Sequence, residues 1–218
     1  MLSPMIALTP TERTQIHRIP KRGSYDREAV NAILDEALLC HVGFVHCEQP
    51  FVIPTTFARI GDRIFVHGAA ASRMLGVISD HPLCVTVTLL DGLVLARSAF
   101  HHSMNYRSVV VLGRGSDVTG REEKLEALTA FIEKISSNRS SEVRAPNDKE
   151  LSATRVIALD ITEASAKIRV GGPVDDEEDM SRACWAGHVP LAISSLDPIR
   201  NGEGSTPPPP LASYLRRA

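Results

Sequence analysis

The chain changes its apolar rhythm once, and that change limits the folds open to it. From Ser24 to Leu39, apolar residues fall at Ala29, Val30, Ile33, Leu34, Ala37 and Leu38, the spacing of a helix with one buried face. Asp26 and Glu28 stand early in it, where the helix dipole favours acids. From His41 onward the period drops toward two. His41–Cys47 and Phe51–Ile60 flank Glu-Gln-Pro, a hairpin signal, and Gly61-Asp62 turns into Arg63–His67. Leu83–Leu90, LCVTVTLL, alternates apolar residues with Thr. Asp91-Gly92 reads as a turn before an extended piece, Leu93–Ala96, and Arg107–Val118, Arg155–Ile161 and Ala166–Val170 complete the β content. A short helix is expected within Ala69–Ile78, beginning near Ser72. Another follows Thr119-Gly-Arg-Glu122, which has the capping-box form, with Leu125, Leu128, Phe131, Ile132 and Ile135 on one face. About six short antiparallel strands, mostly linked by hairpins and decorated by three helices, describe a small, mostly β barrel.

The 218 residues suit one domain with extensions. Residues 1–23 read as an irregular arm, 24–196 as the folded domain, and 197–218, with Pro207–Pro210, as a Pro/Gly-rich tail. The acidic run Asp175–Asp179 reads as a solvated loop. A net charge of -2 offers no general attraction for nucleic acid or anionic membrane. No apolar run approaches the roughly 18 residues of a membrane span, and MLSPMIALTP lacks the form of a secretory signal, so a cytoplasmic protein is expected. Cys40, Cys47, Cys84 and Cys184 are scattered, which suits reduced thiols. Cys40-His41 and His46-Cys47 share one expected strand, but their same-face members lie about 20 Å apart, too far to ligate one metal. No Gly-x-Gly-x-x-Gly follows a first strand and no Gly-x-Ser-x-Gly elbow occurs, so neither a Rossmann dinucleotide site nor a serine hydrolase is expected.

The polar stretch SAFHHSMNYRS, Ser98–Ser108, runs directly into the apolar VVVLG. So many hydrogen-bonding side chains at the mouth of a strand suit a ligand site as well as a polar loop. Arg97 and Arg107 flank His101, His102 and Asn105. Ser72-Arg73 opens the short helix, a place where guanidinium and backbone amides suit phosphate. Lys167 and Arg169 share strand parity and therefore a face. Pro54 within an apolar strand marks an edge or bulge, with Thr55 and Thr56 beside it. His67-Gly68 ends a strand, where a structural histidine and a ligand contact are both open readings. Trp185 serves either core packing or stacking on a flat ligand.

In order along the chain, Arg22-Gly-Ser-Tyr-Asp26, His41-Val-Gly-Phe44, Ile53-Pro-Thr55, Val66-His-Gly68, Ala71-Ser-Arg-Met-Leu75, Leu90–Ser98, His102–Val109, Ala166-Lys-Ile-Arg169 and Trp185-Ala-Gly187 resemble the FMN-binding proteins related to pyridoxamine 5'-phosphate oxidase, in the branch that includes nitroimidazole reductases. The resemblance covers roughly Arg22 to Leu191. It implies a homodimeric split β-barrel with FMN at the subunit interface. It also implies Ser72 and Arg73 at the phosphate, Pro54, Thr55 and Thr56 along the flavin ring, and Val66 and His67 lining the cofactor. Arg107 and Ser108 become the polar pair opening the fifth strand, Asn105 a donor in the loop before it, and Trp185, Lys167 and Arg169 groups reaching the partner's flavin. His67 and His101 are the candidates for proton transfer. The true oxidases carry an Arg-x-His segment near the C-terminus, where this chain has Ala186-Gly-His-Val-Pro-Leu191. Two functions then stand open: an FMN-dependent oxidoreductase using NAD(P)H or another donor and a small organic acceptor, or a flavin-binding or haem-handling protein without turnover.

Overall fold

In the computed structural model, which describes residues 7–202, the first helix and the change of rhythm fall where the pattern puts them. Helix α1 (Arg27–Glu36) starts at Asp26, whose carboxylate accepts the Glu28 and Ala29 amides at 3.3 and 3.4 Å. The strands are β1 (Gly23–Ser24), β2 (Leu39–His46), β3 (Gln49–Ile60), β4 (Arg63–Ala69), β5 (Pro82–Leu95), β6 (Ser103–Arg114), β7 (Ser116–Asp117), β8 (Thr154–Asp160), β9 (Glu163–Arg169) and β10 (Gly187–Pro190). Their order is β1-β9-β6-β5-β2-β3-β4-β8-β7, with β10 on β5 and antiparallel pairing throughout.

Strand β3 belongs to two sheets. Gln49–Thr56 pairs with β2, and Phe57–Ile60 pairs with β4. On the opposite side the chain crosses again: β6 lies between β5 and β9, while β7, just past Gly115, pairs with β8. A side chain at Gly115 would put its Cβ 2.2 Å from the Ile78 carbonyl oxygen, so the crossing demands glycine. Two sheets joined along both sides make a split barrel. Val42, Val85, Val87, Val109 and Val111 line its inside, and Val30, Ile33 and Leu34 of α1 fill it. Each such side chain contributes about 1.5–3 kcal/mol when fully buried. Helix α3 (Arg121–Ile135) covers a second cluster containing Phe65, Ala127, Phe131 and Ala158.

Several expectations change. Among the described residues there are ten strands rather than about six; three of them, β1, β7 and β10, are only two to four residues long and too short to show a period. Asp91-Gly92 does not reverse the chain. It is a β-bulge within the 14-residue β5, and a Cβ on Gly92 would meet the Val189 carbonyl oxygen of β10 at 2.8 Å. Helix α3 is capped by Gly120 without a side-chain bond, so Thr119 forms no capping box. The capping box present is Asn147 with Glu150, opening α4 (Asp148–Ala153), a helix the pattern did not announce. Helix α2 (Arg73–Ile78) follows Ser72 as expected. In the N-terminal arm Leu8 is buried, its amide donates to the Tyr25 carbonyl at 3.0 Å, and Arg13 pairs with Glu163. Nor is the acidic run wholly solvated: the Asp175 side chain is 2% exposed against Arg97, and Asp179 is buried. Pro207–Pro210 lie outside the described residues.

Candidate functional site

The outer face of the larger sheet gathers much of the polar sequence. Directly opposed residues of antiparallel strands share a face. Thr56 opposes Leu39, Thr88 opposes Ser108, and Ser108 opposes Lys167, so these side chains stand outward together. One rung along, Pro54, His41, Thr86, Val110 and Ser165 do the same. Thr55 takes the other face, opposite Cys40, whose thiol is pushed up to about 12 by burial. The outer face is unusually apolar for a surface: Leu39, Val45, Val52, Leu90, Leu93, Met104 and Val189 are all at least 42% exposed.

Ser72 and Arg73 lie at another edge. The Ser72 hydroxyl accepts the Leu75 amide at 3.4 Å and caps α2. The Arg73 guanidinium stacks over the Phe51 ring at 5.2 Å. No carboxylate pairs with Arg73 among the described residues, which leaves its charge available for an anion. Phe51, the platform under this arginine, was not among the residues expected at the site; only its place in a strand was legible.

Val66 points into the main core. His67 takes the opposite face and packs edge-on against Phe131 of α3, 4.1 Å between ring centroids. Burial pushes its pKa down, and its Nδ1 has no hydrogen-bond partner among the described residues, so a neutral ring is favoured. Arg107 and Ser108 do not open a strand: β6 already begins at Ser103, and Arg107 lies within it. Its guanidinium spans two carboxylates, donating to Asp91 at 2.7 and 2.9 Å and to both oxygens of Glu36. Those hydrogen bonds hold its pKa well above the usual arginine value.

Arg169, on the neighbouring strand, faces the other way. It is 6% exposed and donates to Asn105 Oδ1 and to the carbonyls of Gly171 and Gly172, each at 3.1 Å. Asp175 clamps Arg97 through its backbone amide and side chain at 2.8 Å, and Asp176 lies 3.1 Å from His101 Nε2. The Arg97 amide is the main reason the Asp175 carboxyl lies below the usual range. These contacts strap the segment after β9 onto the Arg97–His102 turn and the start of β6. Trp185 is 63% exposed, so core packing is excluded; its ring lies beside Gly187, where a Cβ would approach it to 2.9 Å. Asn105 and Arg169 thus meet directly, as do Ser108 and Lys167, while Arg107, His67 and Arg73 occupy separate places.

A family model described as pyridoxamine 5'-phosphate oxidase matches residues 26–168. The chain belongs to that family of flavin-binding split barrels. The solved structure of the flavocytochrome Anf3 from Azotobacter vinelandii is 39% identical, covering 97% of this chain and 100% of that one, with a TM-score of 0.86. A FAD and haem binding protein from Mycobacterium smegmatis is 35% identical over 87% of this chain and 94% of its own, with a TM-score of 0.82. A candidate 5-nitroimidazole antibiotic resistance protein from Bacteroides thetaiotaomicron shares the fold at 21% identity, a TM-score of 0.56, and coverage of 67% and 86%. Among curated proteins none matches the chain. No helix of the described residues is long and apolar enough to cross a membrane.

Proposed function

We propose that this chain is a homodimeric flavohaemoprotein that takes electrons from a nicotinamide-type donor through its flavin, with haem as a second redox group. The observation that carries this reading is the nearly full-length likeness, at 39% and 35% identity, to one protein described as a flavocytochrome and another described as binding FAD and haem. The second of these favours FAD over the FMN expected from sequence. When bound, the flavin supplies hydride acceptance and the haem iron single-electron exchange. The chain's own residues bind and orient these groups. Arg73, stacked on Phe51 with no carboxylate partner, holds a flavin phosphate, and Ser72 fixes the turn that presents it. Pro54, Thr56 and Ser108 on the outer face offer contacts to the ring, and the exposed apolar residues around them become the dimer interface. The Arg-x-His segment of the true oxidases is replaced by β10, which argues against pyridoxamine phosphate as substrate.

A haem ligand is best sought among histidines whose Nδ1 is already held, because that leaves Nε2 free for metal. His81 and His102 meet this condition, through the Ser79 carbonyl at 3.0 Å and the Ser98 carbonyl at 2.9 Å. His102 adjoins the exposed Phe100 and Met104, an apolar setting suited to a macrocycle, and is the preferred ligand.

The test is the absorbance spectrum of the purified dimer, chromatography of the flavin it releases, and anaerobic addition of NADH or NADPH. FAD, a haem Soret band that His102→Ala removes and His81→Ala retains, and bleaching of the flavin are expected. A protein that takes up neither group is incompatible with the proposal. A protein that loads both groups but is not reduced by either nucleotide has a different donor.

A further inference from the structure

Arg169 is a buried cation without a counter-charge. At 6% exposure it is held by one side-chain amide oxygen and two backbone carbonyls, and its Nε has no hydrogen-bond partner among the described residues. Buried charges are ordinarily paired, because removing them from water is costly. Here the surroundings add charge of the same sign. Arg22 closes the short turn Pro20–Arg22, directly before β1, whose Gly23 opposes Lys167 on β9. Burial first, then the nearby charge of Arg22, press the Arg169 pKa down. No carboxylate pairs with Arg22, Lys167 or Arg169 among the described residues.

The position differs from that of Arg73. Arg169 shares a rung with Tyr106 and Leu90, whereas Val52, the neighbour of Phe51, shares a rung with Gly43 and Cys84. The stretch of β5 from Cys84 to Leu90 separates those rungs by about 20 Å. One phosphate therefore does not satisfy both places within a protomer.

We propose that Arg22, Lys167 and Arg169 form a second oxyanion cradle, which receives the anionic end of a bound cofactor: a diphosphate group or the carboxylates of haem. Resting on the flavin and haem reading above, the proposal specifies which chemical groups meet this edge of the sheet. Guanidinium pairs suit either anion, since both accept forked hydrogen bonds. The carbonyl contacts keep Arg169 oriented before the ligand arrives.

The test uses the full chain freed of cofactor and the variant Arg22→Gln, chosen because the Arg22 side chain makes no hydrogen bond or ion pair among the described residues. Inorganic pyrophosphate should raise the melting temperature of the parent protein and raise that of the variant less. Titrations then separate the two sources. If the diphosphate sits here, FAD weakens at least tenfold in the variant while riboflavin is unchanged. If the carboxylates sit here, haem weakens at least tenfold while haem dimethyl ester is unchanged. Equal pyrophosphate shifts, together with equal FAD and haem affinities in parent and variant, overturn the cradle. A parent that binds neither cofactor, yet shows a pyrophosphate shift that Arg22→Gln removes, overturns the flavin and haem reading and leaves the cradle standing. Arg169→Gln repeats the comparison at the buried position, with circular dichroism to verify folding.

Discussion

Arg107 and Arg169 sit on adjacent strands, one rung apart, and face opposite sides of the same sheet. Arg107 is enclosed by Glu36 and Asp91, with four donor–acceptor contacts to their carboxylates. Arg169, more deeply buried, has only neutral oxygens. The difference separates two uses of a buried cation. A guanidinium matched by carboxylates ties α1, β5 and β6 together and has little left to offer a ligand. One held by carbonyls is oriented without being neutralised.

The sharpest way to break this comparison is Arg107→Ala. It strands two partly buried carboxylates, and the expected loss is about 3 kcal/mol in urea unfolding, at the low end for a buried pair because the side chains are 24–33% exposed. A variant of unchanged stability that no longer retains flavin would instead make Arg107 a cofactor ligand.

Lys134 gives an intermediate case. Its ammonium donates to the Leu34 carbonyl at 2.8 Å and lies 3.7 Å over the Phe57 ring, and burial pushes its pKa down to about 8 from 10.5. Asp35 opposes that shift, the charge of Arg59 adds to it, and the buried Cys40 stands nearby. Between about pH 8 and 10.5 the folded chain has released this proton while the unfolded chain retains it, so Lys134 makes stability rise with pH across that window. Cys40 acts oppositely above about pH 9, since its folded thiol keeps a proton that the unfolded thiol loses. The stability of the parent minus that of Lys134→Met should therefore grow by about 2 kcal/mol from pH 8 to 10.5. A flat difference would show that the ammonium is solvated.

Arg169→Gln should have the smallest effect, within about 1 kcal/mol in the protein freed of cofactor, because lost hydrogen bonds are offset by a relieved desolvation cost. Guanidinium titration measures it. A loss as large as that of Arg107→Ala would place Arg169 with the structural cations.

Local chemistry made much of this legible. The alternation of Leu83–Leu90, the turn at Gly61-Asp62 and the start of α2 at Ser72 are short-range properties and hold in the fold. Strand parity also carried Lys167 and Arg169 to one face, as the register confirms. What stayed hidden depends on distant partners. Glu36 lies 71 residues from Arg107, so its pairing leaves no local trace. The burial of Asp175 depends on Arg97, 78 residues away. Asp91-Gly92 has turn chemistry, but β10 arrives from near the end of the described chain and recruits it into a strand. The polar chemistry of His101–Asn105 was legible; that Ser103–Asn105 would form the first rungs of β6, and that Arg169 would lie beside Asn105, was not.

The shared strand β3 carries one more consequence. Along Gln49–Thr56 only β2 pairs with it, so the other edge has no strand beside it among the described residues. Pro50 and Pro54 have the same parity, and Pro54 within this ladder must turn its nitrogen away from β2, toward the open side. Residues 50, 52, 54 and 56 share that orientation, and at two of them the imino nitrogen carries no hydrogen. A foreign strand meeting this border finds half of the amide donors missing. The opening needed to split the barrel is therefore guarded against runaway edge-to-edge polymerisation, which lets the molecule keep an apolar face without becoming a seed for fibres.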